Sequence, residues 1–157
     1  MTGLVIVPAE SAGQIAQARE LFLEYANSLG FSLCFQGFDK ELATLPGDYA
    51  PPNGCLLLAE CEGRLAGCVA LHELGPRVGE MKRLYLRPEF RGKGLGRALC
   101  ERILSEARRR GYRHLRLDTV EPVMKDAVGM YRRLGFCEIE SYRPNPMAGA
   151  LYMELEL

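Results

Sequence analysis

Two periodicities divide the chain, and each switch between them marks an element. Residues 4–7 form a short apolar β-type run closed by Pro8. Beyond it Ile15, Ala18, Leu21, Phe22 and Tyr25 recur at helical spacing. They follow Ser11 and Gln14, the residues of a capping box, so the pattern predicts a helix from 12 to about 28, ended by Gly30. Residues 31–53 mix Phe31, Phe35 and Phe38 with turn formers and a short helix at 39–44, a shaped loop region more than a linker. Residues 55–61 and 65–72 are apolar runs around Glu62-Gly63, a hairpin signal. A third strand runs from 79 to 87 before Pro88. Plain alternation along it puts Glu80, Lys82 and Leu84 on one face and Met81, Arg83 and Tyr85 on the other. A helix with Leu95, Ala98, Leu99 and Ile103 inward reaches about residue 110. Strand 114–119, helix 123–134 with Gly135 at its end, and strands 137–142 and 151–157 complete a mixed α/β order without an internal repeat.

Composition narrows the class. The 157 residues are enough for one domain with its own core, spanning 1–157. Twenty basic and twenty acidic residues cancel, so no global field draws the chain to nucleic acid or membrane. Arg108, Arg109 and Arg110 read as cations complementing a helix C-terminus. The six cysteines lack paired spacings and His72 and His114 lack neighbouring ligands, which argues against a metal and for a reducing compartment. With no apolar run of membrane-spanning length, the expectation is a soluble cytoplasmic protein.

The chemistry centres on Arg91-Gly92-Lys93-Gly94-Leu95-Gly96, between strand and helix. A Gly-rich turn there leaves backbone N–H groups pointing outward at the positive end of the helix dipole, a site for phosphate. Arg91, Lys93 and Arg97 add charge to the same mouth. Neither the P-loop nor the dinucleotide spacing fits. Arg-x-x-Gly-x-Gly at 91, 94 and 96 instead resembles the coenzyme A pyrophosphate loop of the GNAT acyltransferase superfamily. Ala127, Tyr131, Gly135 and Phe136 resemble the same family's Ala…Tyr…Gly-Phe helix.

The resemblance implies a mixed, mostly antiparallel sheet of about seven strands flanked by helices. It implies acetyl-CoA as co-substrate, without a metal, and direct attack by an amine in a ternary complex. Arg91, Gly92, Lys93, Gly94, Leu95, Gly96 and Arg97 would hold the pyrophosphate, and Leu84, Tyr85 and Leu86 the pantetheine. Tyr131 would protonate the leaving thiolate, and Glu80, at the position of a general-base glutamate, would relay the amine's proton. One departure is Met124, where many members carry Asn.

Two segments are expected to select the acceptor: Phe35 and Phe38 after the first helix, and Tyr142, Arg143 and Asn145 between the last strands. A small-molecule amine, carboxylate-bearing if Arg143 reads it, is the expected acceptor, and a homodimer is plausible by resemblance. The alternative is an acyl-CoA-binding module without catalysis.

Overall fold

The computed structural model describes residues 3–30, 32–33, 37–122 and 124–157. Its strands are β1 (Leu4–Pro8), β2 (Cys55–Cys61), β3 (Arg64–Gly75), β4 (Val78–Leu86), β5 (His114–Val120), β6 (Cys137–Ile139) and β7 (Ala150–Glu156). They form one seven-stranded sheet in the order β1-β2-β3-β4-β5-β7-β6. Every neighbouring pair is antiparallel except β4 and β5. Parallel neighbours need a crossover, and the helix α3 (Leu95–Arg109) supplies it.

Helices cover both faces of the sheet. On one, α3 and α4 (Lys125–Leu134) bury Leu99, Ile103 and Tyr131 against Leu57, Leu71 and Leu117. On the other, α1 (Ala12–Ser28) and α2 (Phe38–Thr44) bury Leu21, Phe22 and Phe38 against Leu56, Leu58 and Ala70. Two covered faces explain why β2 reads as an unbroken apolar run and not as an alternation. At the start of α1 the capping box forms: Gln14 N–H donates to Ser11 Oγ at 3.1 Å, and Ser11 N–H to Gln14 Oε1 at 3.0 Å. The start of helix 123–134 at Val123 lies outside the described residues, and α4 is helical from Lys125. No helix among the described residues is long and apolar enough to cross a membrane.

Plain alternation fails in the middle of β4. Cys68 pairs with Tyr85 and Ala70 with Lys82, so two steps along β3 match three along β4. The extra residue is a β-bulge, and Arg83 adopts a positive φ of 61° there. Met81 and Leu84 pack with the α3 face, whereas Tyr85 joins the α1 face; Arg83 bonds Glu41 of α2. The expected grouping of Met81 with Arg83 and Tyr85 is therefore corrected. The unusual backbone is held by its side chain, because the Arg83 guanidinium donates to both oxygens of Glu41 at 2.8 Å and lies 5.2 Å from the Phe38 ring centre.

Candidate active site

The parallel pair is short. Val78, Gly79 and Glu80 pair with His114, Leu115 and Arg116, and then the strands part. Residues 81–86 of β4 and 117–119 of β5 line a cleft of about 990 Å³ between them, with α1, α3 and α4 completing its walls. The bulge at Arg83 lies on the divergent stretch, and bulges increase local twist and bend a strand. The separation leaves backbone groups of β4 without a β5 partner, which suits an extended polar chain laid alongside.

At one end of the cleft stands the start of α3. Gly94 caps it at φ 82°, a left-handed conformation that glycine adopts without steric cost, and no side chain caps the helix. Its first N–H groups thus remain available to a ligand, with the dipole favouring an anion. Arg91, Arg97, Lys125 and Arg133 border the same cleft. Of the residues expected to hold cofactor, Leu84, Tyr85, Leu86, Arg91, Gly92, Gly94, Leu95, Gly96 and Arg97 line it. Lys93 does not; its ammonium lies 6.0 Å from the Phe90 ring centre, outside the wall. Met124 is on the wall, and its sulfur accepts from Thr119 Oγ1 at 3.1 Å.

Tyr131 projects from α4 into the same wall. Burial holds its phenol well above the ordinary value, reinforced by Cys100 and Tyr25 nearby. Such a phenol stays protonated at neutral pH, the state that a proton donor requires. Cys100 is buried and its thiol pushed up to about 12, chiefly by burial, so it is no thiolate nucleophile.

A second cavity of about 540 Å³ lies on the α2 side, and Lys82 borders both spaces. Glu80, His72, Glu41 and Arg143 are among its lining residues. The Glu80 side chain is 0 % exposed. It accepts from Tyr142 Oη at 2.6 Å and from Arg143 Nη2 at 2.8 Å, and it shares a 2.7 Å hydrogen bond with His72 Nε2. Burial alone would raise its pKa, but the His72 bond, the Lys82 charge and Arg143 outweigh it and hold Glu80 at about 2. A carboxylate so depressed is a weak proton acceptor, and its geometry fits an anchor better than a base. Two residues beyond the last β4–β5 pair, Lys82 and Asp118 continue the face that carries Glu80 and Arg116. Burial lowers the Lys82 pKa, against the opposing pull of Glu80.

The acceptor segments differ from expectation. Phe35 lies outside the described residues. Phe38 is core, packed beneath Arg83, because the α2 helix turns it inward. Tyr142 and Arg143 are both turned onto Glu80, and β6 ends at Ile139, short of the strand expected to reach 142. Asn145 Oδ1 accepts from the backbone N–H of Met147 at 3.0 Å and shapes the turn. Sequence reasoning passed over His72 and Asp118. The β3–β4 register would have found His72, which stands directly opposite Glu80. Asp118 sits on the polar face of β5 with His114 and Arg116, a pattern that reads as a solvated edge when no cavity is in view.

Known proteins share this fold. The family model described as "Acetyltransferase (GNAT) family" matches residues 17–136. An uncharacterized N-acetyltransferase of Schizosaccharomyces pombe is 42% identical over 139 residues, covering 87% of this chain and 85% of that one. An acetyltransferase from Streptococcus agalactiae superposes with a TM-score of 0.81 at 23% identity, over 100% of both chains. A GNAT family acetyltransferase from Elizabethkingia anophelis, solved with acetyl-CoA bound, gives a TM-score of 0.72 at 19% identity, again over 100% of both. Sheet order, cleft and family match agree: the chain belongs to the GNAT family of acetyltransferases.

Proposed function

We propose that the protein transfers the acetyl group of acetyl-CoA to a small-molecule primary amine, by direct attack within a ternary complex. The observation that carries this reading is the open β4–β5 cleft, with an uncapped helix start at one end and the Tyr131 phenol on its wall. The α3 amides and the arginines at the mouth take the pyrophosphate. Pantetheine runs beside residues 84–86, whose backbone has no β5 partner. The thioester then meets the second cavity near Lys82, the residue that borders both spaces. The neutral amine nitrogen forms its bond to the acyl carbon as the carbon–sulfur bond breaks; its surplus proton passes to water in the open cleft, and Tyr131 gives its own proton to the departing thiolate and recovers one from solvent. Glu80 acts by holding His72, Tyr142 and Arg143 in place on the acceptor side. A cavity of about 540 Å³ matches a compact molecule.

Release of free thiol from acetyl-CoA across a panel of primary amines tests this. Activity with at least one amine is expected, and Tyr131→Phe should lower kcat by ~10²–10⁴ with cofactor affinity nearly unchanged. Full kcat in the variant, with chemistry shown to limit the rate, would return Tyr131 to a packing role. Cofactor binding without turnover on any amine would favour a binding module.

A further inference from the structure

Charge pairing where the cleft meets the second cavity leaves a carboxylate oxygen of Asp118 over. Glu41 is matched by the fork of Arg83. Glu80 is matched by Arg143, His72 and Tyr142. Asp118 differs. Its Oδ1 lies 3.6 Å from Arg143 Nη1, beyond a good hydrogen bond, and that guanidinium is already engaged with Glu80 at 2.7 Å. Its Oδ2 is buried and has no hydrogen-bond partner among the described residues. The side chain is 6 % exposed and borders the cofactor cleft. A buried carboxylate oxygen without a donor is costly, and folds that retain one commonly have a ligand, ion or water to satisfy it.

The position of Asp118 suggests the missing donor. It stands two residues past Arg116, where the strands have parted, across the opening from Lys82. An acceptor reaching the thioester from the second cavity passes this opening. We propose that Asp118 is the anchor for the acceptor's ammonium group, and that the acceptor is accordingly a basic aliphatic amine, not an arylamine or an alcohol. The carboxylate torsion χ2 is broad, so a small swing brings Oδ2 to a nitrogen in the cleft. The anchor orients the nitrogen toward the acyl carbon before its proton is lost to water in the cleft. Glu80 is saturated and cannot serve in this way. The inference rests on the acetyl-transfer reading for its setting, though binding alone can test it.

The test uses calorimetry on the full chain loaded with coenzyme A, whose own affinity is measured first. The probes are 1-hexylamine against 1-hexanol, 2-phenylethylamine against 2-phenylethanol, and aniline. A charge-assisted contact predicts that each aliphatic amine binds roughly tenfold to a hundredfold more tightly than its alcohol. Aniline, uncharged at pH 7, should follow the alcohols. Asp118→Asn should reduce the preference to within about threefold, each variant being compared at coenzyme A saturation fixed from its own measured affinity, and Asp118→Glu should keep part of it. Asp118→Ser repeats the measurement should the amide fold poorly. No preference in the parent protein, or a preference that survives both neutral variants, overturns the anchor while leaving acetyl transfer standing. Loss in Glu80→Gln with retention in Asp118→Asn would transfer the role to Glu80 and overturn it equally. A parent protein that does not bind coenzyme A removes both readings.

Discussion

The cofactor cleft and the second cavity share a wall at Lys82, yet they treat polar groups in opposite ways. Around the second cavity the charges are taken up: Glu80 has three side-chain partners, and Arg83 and Glu41 grip each other through two bonds. In the cleft, the start of α3 is uncapped, and β4 has lost its β5 partner. The same contrast recurs between helices, since Ser11 and Gln14 close the start of α1 while Gly94 leaves that of α3 open. Saturated polar groups hold a shape, whereas unsaturated ones at the edge of a cavity are offered to a ligand. By that criterion the second cavity is a shaped wall, and the open positions, the start of α3 and Asp118 Oδ2, belong to the cleft.

The largest effect should come from opening the saturated side. Glu80→Gln leaves the Arg143 and His72 cluster without its carboxylate. The folded pKa of Glu80 is about 2 against an ordinary 4.5, so the carboxylate contributes on the order of 3 kcal/mol of stability. The folded value is the depressed one. That contribution is therefore complete above about pH 4.5 and is lost as the pH falls toward 2. Urea midpoints from pH 7 to pH 3 should show a large deficit for the variant at neutral pH that narrows on acidification. Parallel curves for the two proteins would mean that Glu80 is not the group that titrates.

Next in size is the open side. Gly94→Glu places a side chain at a φ of 82° and a negative charge at the expected pyrophosphate site. Acetyl-CoA at a hundredfold excess over its dissociation constant should stabilise the parent protein by roughly 2.7 kcal/mol. The variant should show almost none of that gain in a thermal melt. An equal gain in both proteins would move the anion site away from α3.

How legible was each region in the sequence? The cleft was legible because its chemistry is local: a glycine run between a strand and a helix states its own backbone geometry, and nine of its expected lining residues line it. The place of Tyr131 on the cleft wall was legible from the Ala127–Phe136 spacing, while the role proposed for it comes from the resemblance. The second cavity was not, because it depends on pairing across long separations. Arg143 meets Glu80 over 63 positions and Arg83 meets Glu41 over 42. The bulge at Arg83 then defeated the period-two reading, since one extra residue reverses every later face assignment. Phe38 was misread for a related reason: an aromatic residue among turn formers resembles a binding wall until the short α2 helix folds it inward.

The smallest effect should sharpen the contrast between the two helix starts. Ser11 Oγ receives the Gln14 N–H, and Gln14 Oε1 receives the N–H groups of both Glu10 and Ser11 at 3.0 Å. Ser11→Ala removes the hydroxyl half of this exchange and should cost about 1 kcal/mol, since an N-cap side chain satisfies a donor that the helix itself cannot. For a chain of this length that corresponds to a fall in Tm of roughly 2–4 °C. The affinity for acetyl-CoA should not change. It is the far end of α1, at Tyr25 and Ser28, that touches the cleft, and a 17-residue helix places roughly 25 Å between its ends. A cap filled by the protein's own side chain is thus expected to move stability alone, whereas the start of α3, which no side chain fills, is expected to move binding. If Ser11→Ala weakened the cofactor as strongly as it lowered Tm, α1 would be coupled to the cleft along its length, and the separation of the two helix starts into a structural and a ligand-binding one would fail.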